Sequence, residues 1–140
     1  MIDEILKKYP KDVKVVIKHI GLTEVTKYAL AAHKQDKYKE MYHKIMTNQD
    51  EVKENEELCV EYAKDLNLDI EQFKKDSKSS EIEHQIINEL KEYLKSSPTE
   101  SIVIPRFLIQ GRELWTFKMS TRKTIEDFSK IIDQELEKLD

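Results

Sequence analysis

The sequence predicts a layered α/β domain with a helical insertion, and three stretches of the chain indicate this class. The run from Val13 to Ile20 is rich in β-branched residues, which is typical of a strand buried on both faces of a parallel or mixed sheet. Residues 24–93 show only the apolar spacing of helices. A hairpin pattern and a final helical pattern follow a break at residues 96–99, so helices and strands are expected to form layers around one core.

The chain is predicted to start with the last turns of a helix. Apolar residues recur at helical spacing from Met1 to Tyr9, and Pro10 stops this helix because proline cannot continue it. The strand from Val13 to Ile20 comes next, and Gly21 ends it.

The middle of the chain is predicted to be a block of helices. Asp69 is a suitable helix cap, and Ser80-Glu81-Ile82-Glu83 has the pattern of a capping box. The helices are expected over residues 24–34, 38–46 and 54–66, from Asp69 through Phe73, and from Ser80 to Leu94.

The C-terminal part is predicted to return to strands and to end in a helix. Ser96-Ser97-Pro98-Thr99 is the break, since serine and proline favour turns. The elements expected after it are a strand over Ile102–Ile109 interrupted by Pro105, a turn over Gln110–Glu113, a strand over Leu114–Phe117, and a helix from its cap Thr121 to Leu139. The inner stripe of that helix is expected to contain Ile125, Phe128, Ile131, Ile132, Leu136 and Leu139.

Charge and hydropathy limit the partners of the chain. It has 24 basic and 28 acidic residues mixed along its length, with no basic stripe, so a nucleic acid partner is not expected. No window approaches the roughly 20 apolar residues of a membrane span.

The N-terminus lacks a basic start and a long apolar run, so no signal peptide is predicted. The compartment stays open: the chain is cytoplasmic as written, or extracytoplasmic if an N-terminal segment was lost.

The single cysteine excludes an internal disulfide. Cys59 shares a helical face with Leu58, Tyr62 and other apolar residues, which predicts a small buried side chain. Acidic residues surround it and oppose formation of a thiolate. These neighbours are Glu56, Glu57 and Glu61.

The sequence shows no pattern typical of a metal, cofactor or catalytic site. The four histidines lack the i, i+4 spacing of a zinc helix, so no metal site is predicted. His19 is expected to be packed or hydrogen-bonded at the end of a strand. Carboxylates with lysines nearby, such as Glu89 with Lys91, predict solvated helix faces.

Four segments of the chain resemble one family in the right order. Ile104-Pro105-Arg106-Phe107-Leu108-Ile109-Gln110-Gly111-Arg112 resembles the segment that opens the third strand in the thioredoxin superfamily. Pro10 to His19 is similar to the second strand of that superfamily. Two further segments resemble the inserted helical domain of DsbA-like thiol–disulfide oxidoreductases: Ala29-Leu30-Ala31-Ala32 with Tyr38, Glu40, Met41, Asn48 and Gln49, and Tyr62 to Asp69 followed by Phe73.

This resemblance implies a thioredoxin-like fold with an inserted helical domain at about residues 22–97, in a single domain over residues 1–140. The family opens with a strand and a Cys-x-x-Cys motif, and both would precede Met1. The chain is therefore expected to be N-terminally truncated and redox-inactive as written, with no catalytic residue carried over. The cis-proline of the family maps onto Pro105, and Ile104 before it is the expected peptide-contacting residue.

The resemblance leaves alternatives open for function. The chain is a piece of a DsbA-like oxidoreductase, or a non-catalytic module that binds a polypeptide through the loop at Ile104 and Pro105. A third hypothesis is a small-molecule binder or transferase, by analogy with DsbA-like relatives that use glutathione, although the chain supplies no suitable serine or thiol for it. A homodimer is also expected, because the absent strand would lie between Val13–His19 and Arg106–Gln110 and would leave both without a neighbour.

Overall fold

A computed structural model describes residues 1–96, 102, 106–114 and 124–139 of the chain. The described residues are mostly helical, with one short hairpin. The elements are α1 (Ile2–Lys8), α2 (Glu24–His33), α3 (Tyr38–Thr47), α4 (Gln49–Glu54), α5 (Leu58–Asp65), α6 (Ile70–Ser77), α7 (Ser80–Ser96), β1 (Phe107–Ile109), β2 (Arg112–Leu114) and α8 (Ile125–Leu136).

The chain divides into two compact units. One unit is Lys18–Pro98 and contains α2 to α7, and we call it the helical unit. The other is formed by Met1–Ile17 together with Thr99–Asp140, and we call it the terminal unit. The terminal unit therefore needs two segments that are distant in the sequence.

The helical unit has the larger core. Phe73, Met41, Ile82 and Ile86 are almost completely buried, and the ring of Tyr28 stacks on Phe73 with the centroids 5.5 Å apart. Full burial of each such side chain stabilises the folded state by about 1.5–3 kcal/mol. The core is continuous because these helices place their apolar stripes on a common interior.

Side-chain hydrogen bonds mark the starts of three of the helices in this unit. The side chain of Thr23 caps α2 by accepting the N–H of Thr26, and Asp69 caps α6 by accepting the N–H of Gln72. The expected cap at Asp69 is confirmed. The expected capping box at Ser80 is wrong, because Ser80 is already helical and the hydroxyl of Ser79 accepts the N–H of Ile82.

The helix expected over residues 54–66 is present only from Leu58 to Asp65, so its predicted start is wrong. The sequence interpretation missed α4, which ends at Glu54, and α5 begins only at Leu58. The side chain of Asn55 accepts the backbone N–H of Glu57 at 3.2 Å. Asparagine interrupts the helix here because its side chain offers the backbone an alternative hydrogen bond.

The predicted strand from Val13 to Ile20 does not form. These residues have no regular secondary structure, and Val16 is 64% exposed rather than buried on two faces. High β-propensity measures how well a side chain fits a paired, half-buried surface. Among the described residues, no strand pairs with this segment.

The hairpin forms, with a shorter turn than expected. β1 and β2 pair antiparallel, with Phe107 opposite Leu114 and Ile109 opposite Arg112. Gln110 and Gly111 both have positive φ, at 48° and 78°, as in the two-residue turns that suit strand twist. The expected turn positions Arg112 and Glu113 are therefore already in β2.

The terminal unit is held by α1 and α8. Buried Ile5 packs with Phe128, whose ring meets Phe107 edge to face with the centroids 4.9 Å apart. α8 begins at a capping box formed by Thr124 and Asp127. The expected cap Thr121 lies outside the described residues, and the inner position expected for Leu139 is wrong, since Leu139 is 77% exposed.

Candidate functional site

The residues predicted to contact a peptide lie outside the described part of the chain. These are Ile104 and Pro105, and the expected cis bond between them remains a prediction. The described segment that follows them is Arg106 and then β1.

The described strands leave one edge of β1 without a strand neighbour. Within residues 106–114, β1 pairs on one side with β2, and no third described strand pairs with it. Phe107 and Ile109 pack on the core of the terminal unit, while Leu108 is 52% exposed. An open strand edge offers unpaired N–H and C=O groups to an extended chain.

Cys59 cannot act as a nucleophile in this fold. Its side chain is completely buried in the core of the helical unit, which confirms the predicted burial. Burial, together with the carboxylates of Glu56 and Glu57, raises the pKa of the Cys59 thiol to about 11. Since the thiolate is the reactive form, almost none is present near neutral pH.

A polar cluster in the helical unit was not predicted from the sequence. It consists of His19, Glu89 on α7 and Tyr38 on α3. Glu89 Oε2 accepts the backbone N–H of His19 and lies 3.2 Å from His19 Nδ1, and His19 Nε2 lies 3.1 Å from the hydroxyl of Tyr38. Gln85 donates to the other carboxylate oxygen at 3.0 Å.

The expectation of a solvated helix face is wrong for Glu89. Glu89 is 8% exposed, although the sequence around it alternates in charge. Burying a carboxylate is costly unless hydrogen bonds satisfy it, and here both oxygens are used. The expectation of a hydrogen-bonded His19 is confirmed, but at a residue outside any strand.

Burial and hydrogen bonding shift the pKa values of Glu89 and Tyr38 in this cluster. Burial acts to raise the pKa of Glu89, but donors outweigh it and hold the pKa below its ordinary value. These donors are the His19 backbone, the Gln85 amide and the His19 ring. Burial, Tyr42 and Glu89 raise the pKa of the Tyr38 hydroxyl, which keeps it protonated. With a neutral imidazole, His19 donates from Nδ1 to Glu89 and accepts at Nε2 from Tyr38.

The arrangement is better suited to holding His19 against α3 and α7 than to catalysis. Tyr38 has a raised pKa, so it is a poor base or nucleophile at neutral pH. A shallow groove lies beside the cluster and is lined by Lys18, His84, Glu92 and neighbours on α7. Across the described ranges, no three His, Cys, Asp or Glu side chains are placed to share a metal ion.

Comparison with known proteins identifies the class. A family model described as Thioredoxin matches residues 2–134. Because the match extends over nearly the whole sequence, the chain belongs to the thioredoxin family. No significant match was found among curated proteins or among solved structures. In the part of the chain that the structure describes, no helix is both long and apolar enough to cross a bilayer.

Proposed function

We propose that the chain is a DsbA-like member of the thioredoxin superfamily that binds extended polypeptide and does not itself catalyse dithiol exchange. The observation that carries the second part is Cys59, the single cysteine, which is buried and has a thiol pKa of about 11. Exchange between two cysteines needs a partner thiol and an accessible thiolate. These 140 residues supply neither.

The DsbA-like assignment rests on the family match and on chain organisation. A compact helical unit, Lys18–Pro98, lies in the sequence between the two segments of the terminal unit. We propose that this unit corresponds to the helical domain that DsbA-like proteins insert into the thioredoxin fold. On this proposal the whole chain is one domain with an insertion.

The polypeptide-binding part rests on the hairpin. The proposed contact residues Ile104 and Pro105 directly precede Arg106 and β1, whose outer edge has no strand neighbour among the described residues. An extended peptide would add to this edge through main-chain hydrogen bonds, with side-chain selection from Ile104 and the exposed Leu108. Polypeptide is thus the proposed partner class.

Redox inactivity is tested by insulin reduction with glutathione as the reductant. We expect the rate with the full chain to equal the rate without protein. Cys59→Ala should behave identically, because the buried thiol takes no part. A rate above the control that disappears in Cys59→Ala would contradict the proposal.

Peptide binding is tested by fluorescence anisotropy with a library of unfolded, cysteine-free peptides. We expect Ile104→Ala and Leu108→Glu to weaken binding. Leu22→Glu is the matched control, since Leu22 is 53% exposed but lies in the helical unit. N-methylation of alternate peptide amides should abolish binding, because it removes the donors that strand addition needs. Equal binding by the methylated peptides would contradict strand addition.

A further inference from the structure

The chain enters the helical unit through a segment with no regular secondary structure. We call residues Lys18–Leu22 the entry segment, since the helical unit starts at Lys18. Leu22 is 53% exposed, whereas Ile20 and Gly21 are partly buried. The pair between Lys18 and Glu92 is also exposed, at 54% and 68% of the two side chains. Such a surface pair contributes little to stability.

His19 makes several hydrogen bonds from this segment. Its side chain is 13% exposed and is hydrogen-bonded at both ring nitrogens, and its backbone N–H is bonded as well. The partners lie on two different helices, Glu89 on α7 and Tyr38 on α3. His19 therefore joins the entry segment to both helices through hydrogen bonds.

Glu89 is placed for this attachment rather than for general helix packing. Its carboxylate is buried, and Oε2 receives both the backbone and the ring of His19, while Oε1 receives Gln85. If His19 moved away from α7, Oε2 of Glu89 would lose both of these hydrogen-bond donors. A buried carboxylate without donors is costly, so the two groups hold each other in place.

We propose that His19 and Glu89 form a latch that fastens the entry segment to α3 and α7 and can open without unfolding the rest of the helical unit. The hydrogen bonds of the latch can form with either the neutral or the charged imidazole. A neutral ring donates to Glu89 and accepts from Tyr38, whereas an imidazolium donates to both, since a tyrosine hydroxyl can also accept. Opening by acid therefore depends on protonation of the carboxylate.

Other titratable groups face the latch from each packed element. They are His33 on α2, Tyr38 and Tyr42 on α3, Glu81, His84 and Glu92 on α7, and Lys18 in the entry segment. The pKa of Glu89 is lowered on folding from an ordinary value of 4.5. The stabilisation by its charge is therefore present above that value and is lost as the pH falls through the lower folded value.

The test is amide hydrogen exchange of the full chain at neutral pH, read residue by residue. In Glu89→Gln we expect the amide of His19 and its neighbours to exchange about tenfold faster or more, the factor for losing hydrogen bonds to a charge. Core amides such as Ala63 on α5 should not change. Glu92→Gln is the control, because it removes the exposed pair with Lys18 one turn further along the same helix.

His19→Phe is a second variant for the same measurement if Glu89→Gln folds poorly. It keeps an aromatic ring at this position but removes the hydrogen bonds of the two ring nitrogens. Local acceleration in either variant supports the latch. Unchanged exchange at residue 19 in both, or equal acceleration in every helix of the unit, would overturn it. In the unmodified chain, the protection of His19 should persist from pH 7 to about 5.5 and disappear only below about pH 4.5.

Discussion

The helical unit and the terminal unit use similar apolar residues in different ways. In the helical unit, Phe73 and Met41 are fully buried in a core built from one continuous stretch of chain. Among the described residues of the terminal unit, the buried apolar cluster contains four residues, and the β-branched Val16 is largely exposed. The difference indicates that helices can find their partners within one stretch, whereas a sheet segment needs a neighbour supplied from elsewhere.

The largest expected effect tests the difference between the two cores. Phe73→Ala should destabilise the protein by about 3–5 kcal/mol, because it opens a cavity in a fully buried site. Phe128→Ala should cost less, about 3 kcal/mol at most, because the smaller cluster around it can collapse more easily. Urea unfolding followed by circular dichroism measures both, and an equal or greater loss in Phe128→Ala would contradict the comparison.

We expect a buried tyrosine hydroxyl to contribute more to the free energy of unfolding in the terminal unit than in the helical unit. The hydroxyl of buried Tyr9 donates to Asp133 Oδ1 at 2.6 Å, so Tyr9→Phe should cost about 1.5 kcal/mol. The control is Tyr28→Phe in the helical unit, whose hydroxyl lies 3.3 Å from Glu57 and should contribute less than about 1 kcal/mol. The same unfolding measurements apply, and the reverse order would show that the small core does not depend on this anchor.

Cys59 should have a smaller, pH-dependent effect on the free energy of unfolding. The folded thiol pKa of about 11 lies above the ordinary value of 9.0, so the unfolded state loses its proton first. Stability should therefore fall as the pH rises from about 9 to 11. Cys59→Ala should cost about 1 kcal/mol at pH 7 and show a weaker decline at high pH. Rapid labelling by a thiol reagent at pH 7 without denaturant would contradict the burial.

The smallest expected effect on stability concerns the unpaired segment of the terminal unit. We propose that exposed Val15 and Val16 lie at or near the interface of a homodimer, because unpaired β-rich segments favour association. Val16→Lys should then shift sedimentation toward a monomer and change stability by about 0.5 kcal/mol or less. Leu22→Lys is the control. A monomeric unmodified chain at micromolar concentration would exclude the dimer.

Many of the elements could be predicted because their signals are local. α2, α3 and α7 begin and end within about two residues of their predicted bounds, a shift that helix ends commonly show. The buried face of Cys59 follows from the spacing of its apolar neighbours. The peptide contacts expected at Ile104 and Pro105 remain a prediction, since they lie outside the described residues.

The sequence by itself determined the helical block, the single buried thiol and the hairpin, since each depends on spacing, caps or a turn within a few residues. Only the tertiary structure decided the fate of Val13–Ile20 and the burial of Glu89. A strand exists only where another backbone pairs with it. Likewise, the partner that makes burial of Glu89 favourable, His19, is 70 residues away in the sequence, and no local pattern can predict a contact over that distance.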